Sequence, residues 1–171
     1  NAQLASGYCS YDPDSGEYSG LFIGGPSREQ AHGLAVDSEG AVYVAANSWS
    51  FDNQYTPEPE GFPLTEDAFS TSEENAPHAV FFKLDAAAST LLYSSRFPNS
   101  ELGGIAVDRS QHVYLTGRGG NALFPITPGV VQTEDACGWN TQPFIAKLDL
   151  SKPGGDALVY STYITGKGCG E

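Results

Sequence analysis

The sequence predicts an all-β chain built of four-stranded antiparallel sheets, and three observations carry that prediction. Short runs rich in Val, Ile, Leu, Tyr and Phe alternate with Gly, Asp, Ser and Pro, the pattern of strands roughly five residues long joined by turns. A set of such runs occurs twice in the same order. No stretch sustains a 3.6-residue apolar period between capping residues, so helix is incidental at most.

Taken in chain order, Cys9-Ser10-Tyr11-Asp12 and Gly20-Leu21-Phe22-Ile23 stand where the last two runs of a set belong, so the chain opens on a partial set. Gly33-Leu34-Ala35-Val36 and Ala41-Val42-Tyr43-Val44 are the first two strands of a complete one. Asp37-Ser38-Glu39-Gly40 joins them as a tight hairpin with Gly40 at positive φ. Phe62-Pro63-Leu64-Thr65, Phe82-Lys83-Leu84-Asp85 and Leu91-Leu92-Tyr93-Ser94-Ser95 complete the set. The second set begins at Gly104-Ile105-Ala106-Val107-Asp108, an offset of 71 from Gly33, and runs on through His112-Val113-Tyr114-Leu115. Phe124-Pro125-Ile126-Thr127, Ala146-Lys147-Leu148-Asp149 and Leu158-Val159-Tyr160-Ser161-Thr162 follow, at offsets of 62, 64 and 67. Runs apolar at successive positions, such as Val80-Phe81-Phe82, predict sheets covered on both faces. Four strands per set, with sheets packed on both sides, is what a β-propeller blade requires.

The succession Gly104 to Asp108, Val113 to Gly117, Phe124 to Gly129, Phe144 to Asp149 and Leu158 to Ile164 closely resembles the bacterial SBBP-type β-propeller repeat, over about residues 7 to 165. The resemblance implies an extracytoplasmic protein. It also implies that the Gly-Ile-Ala-Val-Asp strand is innermost in each blade and the Tyr-Ser-Thr strand outermost. The chain then divides into an outer half-blade (7–25), a blade (32–97) and a second blade (103–165). The first full set departs from the pattern by an insertion, since Asn47 to Phe62 spans 15 positions where Arg118 to Phe124 spans 6. A four-bladed ring needs about 270 residues at this repeat length, so about two and a half blades make an incomplete ring. Other protein chains, further copies of this one, or a longer parent are expected to complete it. The amino terminus, Asn1-Ala2-Gln3, reads as that of a processed or excerpted chain.

Composition narrows the partners. With 8 Lys+Arg against 21 Asp+Glu the net charge is −13, which disfavours nucleic acid and anionic membrane surfaces. No apolar run approaches the roughly 20 residues of a spanning helix, so direct membrane insertion is not expected.

Candidate sites are few. The inserted segment Asn47 to Gly61 holds Trp49, Phe51 and Tyr55 beside Asp52, Glu58 and Glu60. Aromatics next to carboxylates suit a protein partner or a sugar face, or simply fold back on their own blade. Asp12, Asp14 and Glu17 surround a Gly turn as weak Ca²⁺ ligands would, the plain alternative being a turn between outer strands. Apart from Ca²⁺ no cofactor is implied. Cys137 and Cys169 flank two strands that return to one end of the sheet if they form a hairpin, so a disulfide is a candidate against free thiols. Cys9 reads as a buried free thiol or, less simply, an interchain bridge. Glu73-Glu74 and Glu134-Asp135 read as solvated loop charge, and Glu66-Asp67 as adjacent loop carboxylates. Isolated His32, His78 and His112 form no metal-binding pair, and Gly117-Arg118-Gly119-Gly120 reads as a turn. No catalytic residue stands out. The reading that follows is a non-enzymatic extracytoplasmic propeller segment acting as a structural or protein-interaction module. The alternative is a carbohydrate- or small-ligand-binding propeller, with hydrolysis as its extreme form.

Overall fold

A computed structural model describes residues 11–12, 17–18, 23–24, 28–48, 62–71, 78–120, 124–134 and 142–165. β1 (Tyr11–Asp12) and β2 (Glu17–Tyr18) pair as a short antiparallel ladder with Asp12 opposite Glu17. The first four-stranded sheet is β3 (Glu29–Val36), β4 (Val42–Ser48), β5 (His78–Leu84) and β6 (Leu91–Phe97), in that spatial order. The second is β7 (Ser100–Val107), β8 (His112–Gly119), β9 (Gln142–Asp149) and β10 (Leu158–Tyr163), with a short 3-10 turn at Gly154–Ala157 before β10. The chain is all-β as expected, and within each sheet the strands lie in sequence order, each beside the one that precedes or follows it.

Both sheets follow one pairing scheme. Tyr43 lies opposite Lys83 and Lys83 opposite Tyr93, while Tyr114 lies opposite Lys147 and Lys147 opposite Tyr160. A bulge falls between Ala31 and Gly33 in one sheet and between Leu102 and Gly104 in the other. The Asp37 hairpin is present, with Gly40 at φ +85° and its N–H donating to the Asp37 carbonyl at 3.1 Å. Gln111 takes the same place in the β7–β8 turn at φ +62° and donates to the Asp108 carbonyl at 3.0 Å. The turn expected at Gly117-Arg118-Gly119 is corrected: these residues end β8. Glycines weaken a strand alone, but here β7 pairs on one side and β9 on the other. Gly117 sits so close to the bulge that a Cβ would collide with the Glu101 carbonyl.

The Phe-Pro-x-Thr segments turn out to be edge covers. The Thr65 N–H donates to the Ser94 carbonyl and the Ser94 N–H donates to Thr65 Oγ1, both at 3.1 Å. Thr127 and Ser161 repeat this at 3.2 and 3.1 Å. A threonine hydroxyl thus stands in for a backbone acceptor, and the outer strands β6 and β10 present fewer unpaired groups to solvent.

The main core lies between the sheets. Phe69 and Phe97 meet Phe144, Phe124 and Tyr163 in a continuous column, with Phe97 and Phe144 stacked at 5.3 Å and 3° between planes. A second cluster, Ala46, Phe62, Val80, Phe82 and Leu84, lies on the first sheet's far face. The expectation that both faces of every sheet are covered holds in part: beyond the faces that meet, the first sheet's far face is buried around Val80, Phe82 and Phe62 but open along β3. Leu34 and Val36 are 66% and 53% exposed on the first sheet, because apolar runs mark faces that can be covered and not faces that are.

Candidate functional site

The most developed polar constellation is one that the sequence reading missed. Asp37 Oδ1 accepts the N–H groups of Glu39 (2.9 Å) and Ala41 (3.0 Å), while Oδ2 accepts the Tyr43 hydroxyl at 3.0 Å and faces Lys83 Nζ at 3.5 Å. Lys83 Nζ also lies 4.9 Å from the Tyr43 ring centroid, a cation–π contact. The second sheet rebuilds this group. Asp108 accepts from Ser110 N–H (2.8 Å), His112 N–H (3.0 Å) and Tyr114 OH (3.0 Å), with Lys147 Nζ 3.6 Å from Oδ2 and 5.0 Å from the Tyr114 ring. His112 Nδ1 adds a contact 3.1 Å from Asp108 Oδ2. The signal available in the sequence was the coincidence of two offsets, since Asp and Tyr recur at 71 and the lysine at 64. Strand pairing converts those separate offsets into one cluster.

Burial opposes ionisation of Asp37, but the hydrogen bonds from Ala41, Tyr43 and Glu39 and the Lys83 charge outweigh it and hold its carboxyl below the usual range. Asp108 is held lower still: desolvation again opposes ionisation, and the bonds from His112, Tyr114 and Ser110 prevail. Burial and the Asp37 carboxylate push the Tyr43 hydroxyl well above its ordinary value. A carboxylate held this firmly as an anion is a poor general base at neutral pH. Its role is to pin the hairpin and aim the lysine.

The two constellations differ in what covers them. The Asp37 side chain is 1% exposed and that of Asp108 is 32% exposed, because the second sheet lies over the first group. Across that junction Lys83 Nζ donates to Gln111 Oε1 at 3.1 Å. The Asn47 carboxamide also crosses it, accepting from Leu102 N–H at 2.8 Å and donating to the Leu102 carbonyl at 3.2 Å. Under the offsets of 62, 71 and 67, Phe69, Asn47 and Phe97 correspond to Val131, Arg118 and Ile164 on the second sheet's far face. Val131 is 96% and Ile164 47% exposed, and Arg118 turns to Glu101 at 2.7 Å. On the other side of the junction Ile105 and Val107 pack against the core, whereas their counterparts Leu34 and Val36 are exposed. The sheets therefore pack front to back, leaving part of one face of each kind open.

A cleft of about 420 Å³ also opens between the sheets, with Lys83, Arg109, Asp67, Asp149, Tyr93 and Gln111 among its lining residues. Asp67 is thereby brought to a cleft wall.

Of the candidates from sequence, Trp49, Phe51, Asp52, Tyr55, Glu58, Glu60, Asp14, Cys9, Cys137 and Cys169 lie outside the described residues. Glu73, Glu74 and Asp135 lie there too. Asp12 and Glu17 are paired across β1 and β2. The hairpin that a Cys137–Cys169 link presupposes is formed by β9 and β10. His32 is exposed in β3, His78 belongs to β5, and His112 lies beside Asp108. Among the described residues no group of three His, Cys, Asp or Glu side chains is arranged to hold a metal ion. No protein-family model matches the chain, and no curated protein matches it significantly.

Proposed function

We propose that this chain is a non-enzymatic, extracytoplasmic structural and protein-interaction module, a segment of an SBBP-type β-propeller whose open blade faces dock further sheets. The observation that carries this reading is the front-to-back packing of the two sheets. The face bearing Val131 and Ile164 corresponds to one side of the internal junction, and the face bearing Leu34 and Val36 to the other. Such a contact is heterologous and propagates until a ring or a different partner ends it. Exposed branched aliphatics on both faces favour burial against a partner. The carboxylates and aromatics of the Asn47 to Gly61 segment add a second contact region in the same reading.

Sedimentation velocity on three chains tests it. The wild type should gain mass with concentration, whereas Leu34→Glu and Ile164→Glu, each damaging one face, should remain monomeric. Mixing the two variants should restore a one-to-one complex, because each keeps the face the other lacks. A folded wild type that stays monomeric at the highest attainable concentration, or a mixture that fails to complement, overturns the reading.

The second reading, a small polar or carbohydrate ligand, draws on the 420 Å³ cleft and its mixed lining of Lys83, Arg109, Asp67 and Asp149. A thermal-shift screen with sugars and Ca²⁺ separates it from docking, and a flat response across the panel removes it.

A further inference from the structure

Lys83 and Lys147 occupy matching positions, but among the described residues only Lys83 has a partner from a neighbouring sheet. Its ammonium is shared between Asp37 at 3.5 Å, the Tyr43 ring at 4.9 Å and Gln111 Oε1 at 3.1 Å across the junction. Lys147 reproduces the first two contacts with Asp108 and Tyr114, at 3.6 and 5.0 Å. Gln111 sits at the tip of the β7–β8 hairpin, and at the matching tip of the β3–β4 hairpin stands Gly40, which has no side chain.

We propose that the open face of the second sheet receives a further four-stranded sheet whose first hairpin carries a carboxamide side chain at the position Gln111 holds, and that Lys147 reads it. The proposal rests on the docking function above and names the partner's chemistry. The internal junction is its template, since the same register, the same cation–π contact and the same aspartate cradle are present on both faces. Covering Lys147 without an acceptor leaves one direction of its ammonium dry and unpaired, which penalises the wrong partner. A carboxamide fits better than a carboxylate, because Asp108 already supplies the negative charge. A second copy of this chain brings Gly40 to that point and is a deficient partner. The favoured occupant is therefore a sheet of the same pattern with a different hairpin tip.

Installing the missing acceptor on the chain itself tests this by sedimentation equilibrium. Gly40→Gln should tighten self-association about tenfold to a hundredfold, the range for a hydrogen bond to a charged group. In a Lys147→Met background the same Gly40→Gln change should bring no tightening over Lys147→Met alone, because the group that reads the new acceptor is gone. Gln111 holds the same turn position at φ +62°, but a Cβ at Gly40 comes within 3.2 Å of the Ala86 Cβ, so Gly40→Gln carries some strain; Gly40→Asn, at ease at positive φ, serves as the second variant. Thermal melts establish that each variant folds. No tightening in either Gly40 variant, or tightening that survives Lys147→Met, overturns the proposal. If this occurs while Leu34→Glu and Ile164→Glu still complement each other, only the acceptor falls and face docking stands.

Discussion

Replacing Asn47 by Ala should cost about 2–4 kcal/mol of stability, and the figure follows from one side chain. Asn47 is 2% exposed and supplies both hydrogen-bond partners of the equally buried Leu102 backbone, at 2.8 and 3.2 Å. Removing it orphans one N–H and one C=O inside the junction, each worth about 1–3 kcal/mol of desolvation. Water entering the small space left behind recovers part of that loss. Urea denaturation followed by far-UV circular dichroism reads the change as a fall in midpoint at constant slope. At about 2–4 °C per kcal/mol for a chain of this length, the melting temperature should drop by about 5–15 °C. Arg118→Ala is the internal control. Its side chain is 64% exposed and pairs with Glu101 in solvent, so its loss should stay under about 0.5 kcal/mol. Asn47→Asp should be at least as damaging as Asn47→Ala, since it keeps the acceptor, loses the donor and buries a charge. A cost below about 0.5 kcal/mol for Asn47→Ala, or one equal to that of Arg118→Ala, would refute the idea that this carboxamide joins the sheets.

Three further changes probe other links. Gly117→Ala should destabilise by about 1–3 kcal/mol because its methyl meets the Glu101 carbonyl at the β7 bulge; an unchanged urea midpoint would show that the bulge gives way freely. Thr127→Val keeps the shape but removes the hydroxyl that accepts from Ser161 N–H at 3.1 Å, so amide exchange at Ser161 should accelerate and about 1–3 kcal/mol be lost; unaltered exchange there would discount the edge cover. In acid, Asp37 supplies a stability term of definite sign. Its folded carboxyl lies below the ordinary value of 3.8, so the unfolded chain binds more protons in that window and stability rises with pH. The contribution is complete above 3.8 and disappears as the pH falls through the lower folded value. Asp37→Asn should flatten that part of the stability profile, and an identical acid slope in both chains would contradict it.

The strands were legible because their cause is local. Each recurring run carries its own β-branched and aromatic residues and its own breakers, and the Asp37 to Gly40 turn announces itself through a glycine that the backbone places at φ +85°. The candidate site was less legible. Asp108, Tyr114 and Lys147 are unremarkable one by one, and the lysine belongs to a run whose offset differs from that of the other two. Only the pairing of Tyr114 with Lys147 across β8 and β9 brings them to one point. Gly117-Arg118-Gly119 misled for the complementary reason. Local glycine content argues for a turn, and the ladders on either side override it.

By itself, the sequence determined that the chain is all-β, where its strands lie though not where each one ends, and that two sets of runs share one order. These properties reside in short windows, where side-chain alternation and turn chemistry act over a few residues. Tertiary structure alone decided which face of each sheet is covered. An apolar face is equally apolar whether another sheet lies on it or water does, so Leu34 and Ile105 look alike in sequence and differ in exposure. The same holds for the lysines. Lys83 and Lys147 are placed alike by their own sheets, and what separates them is the hairpin that arrives from outside.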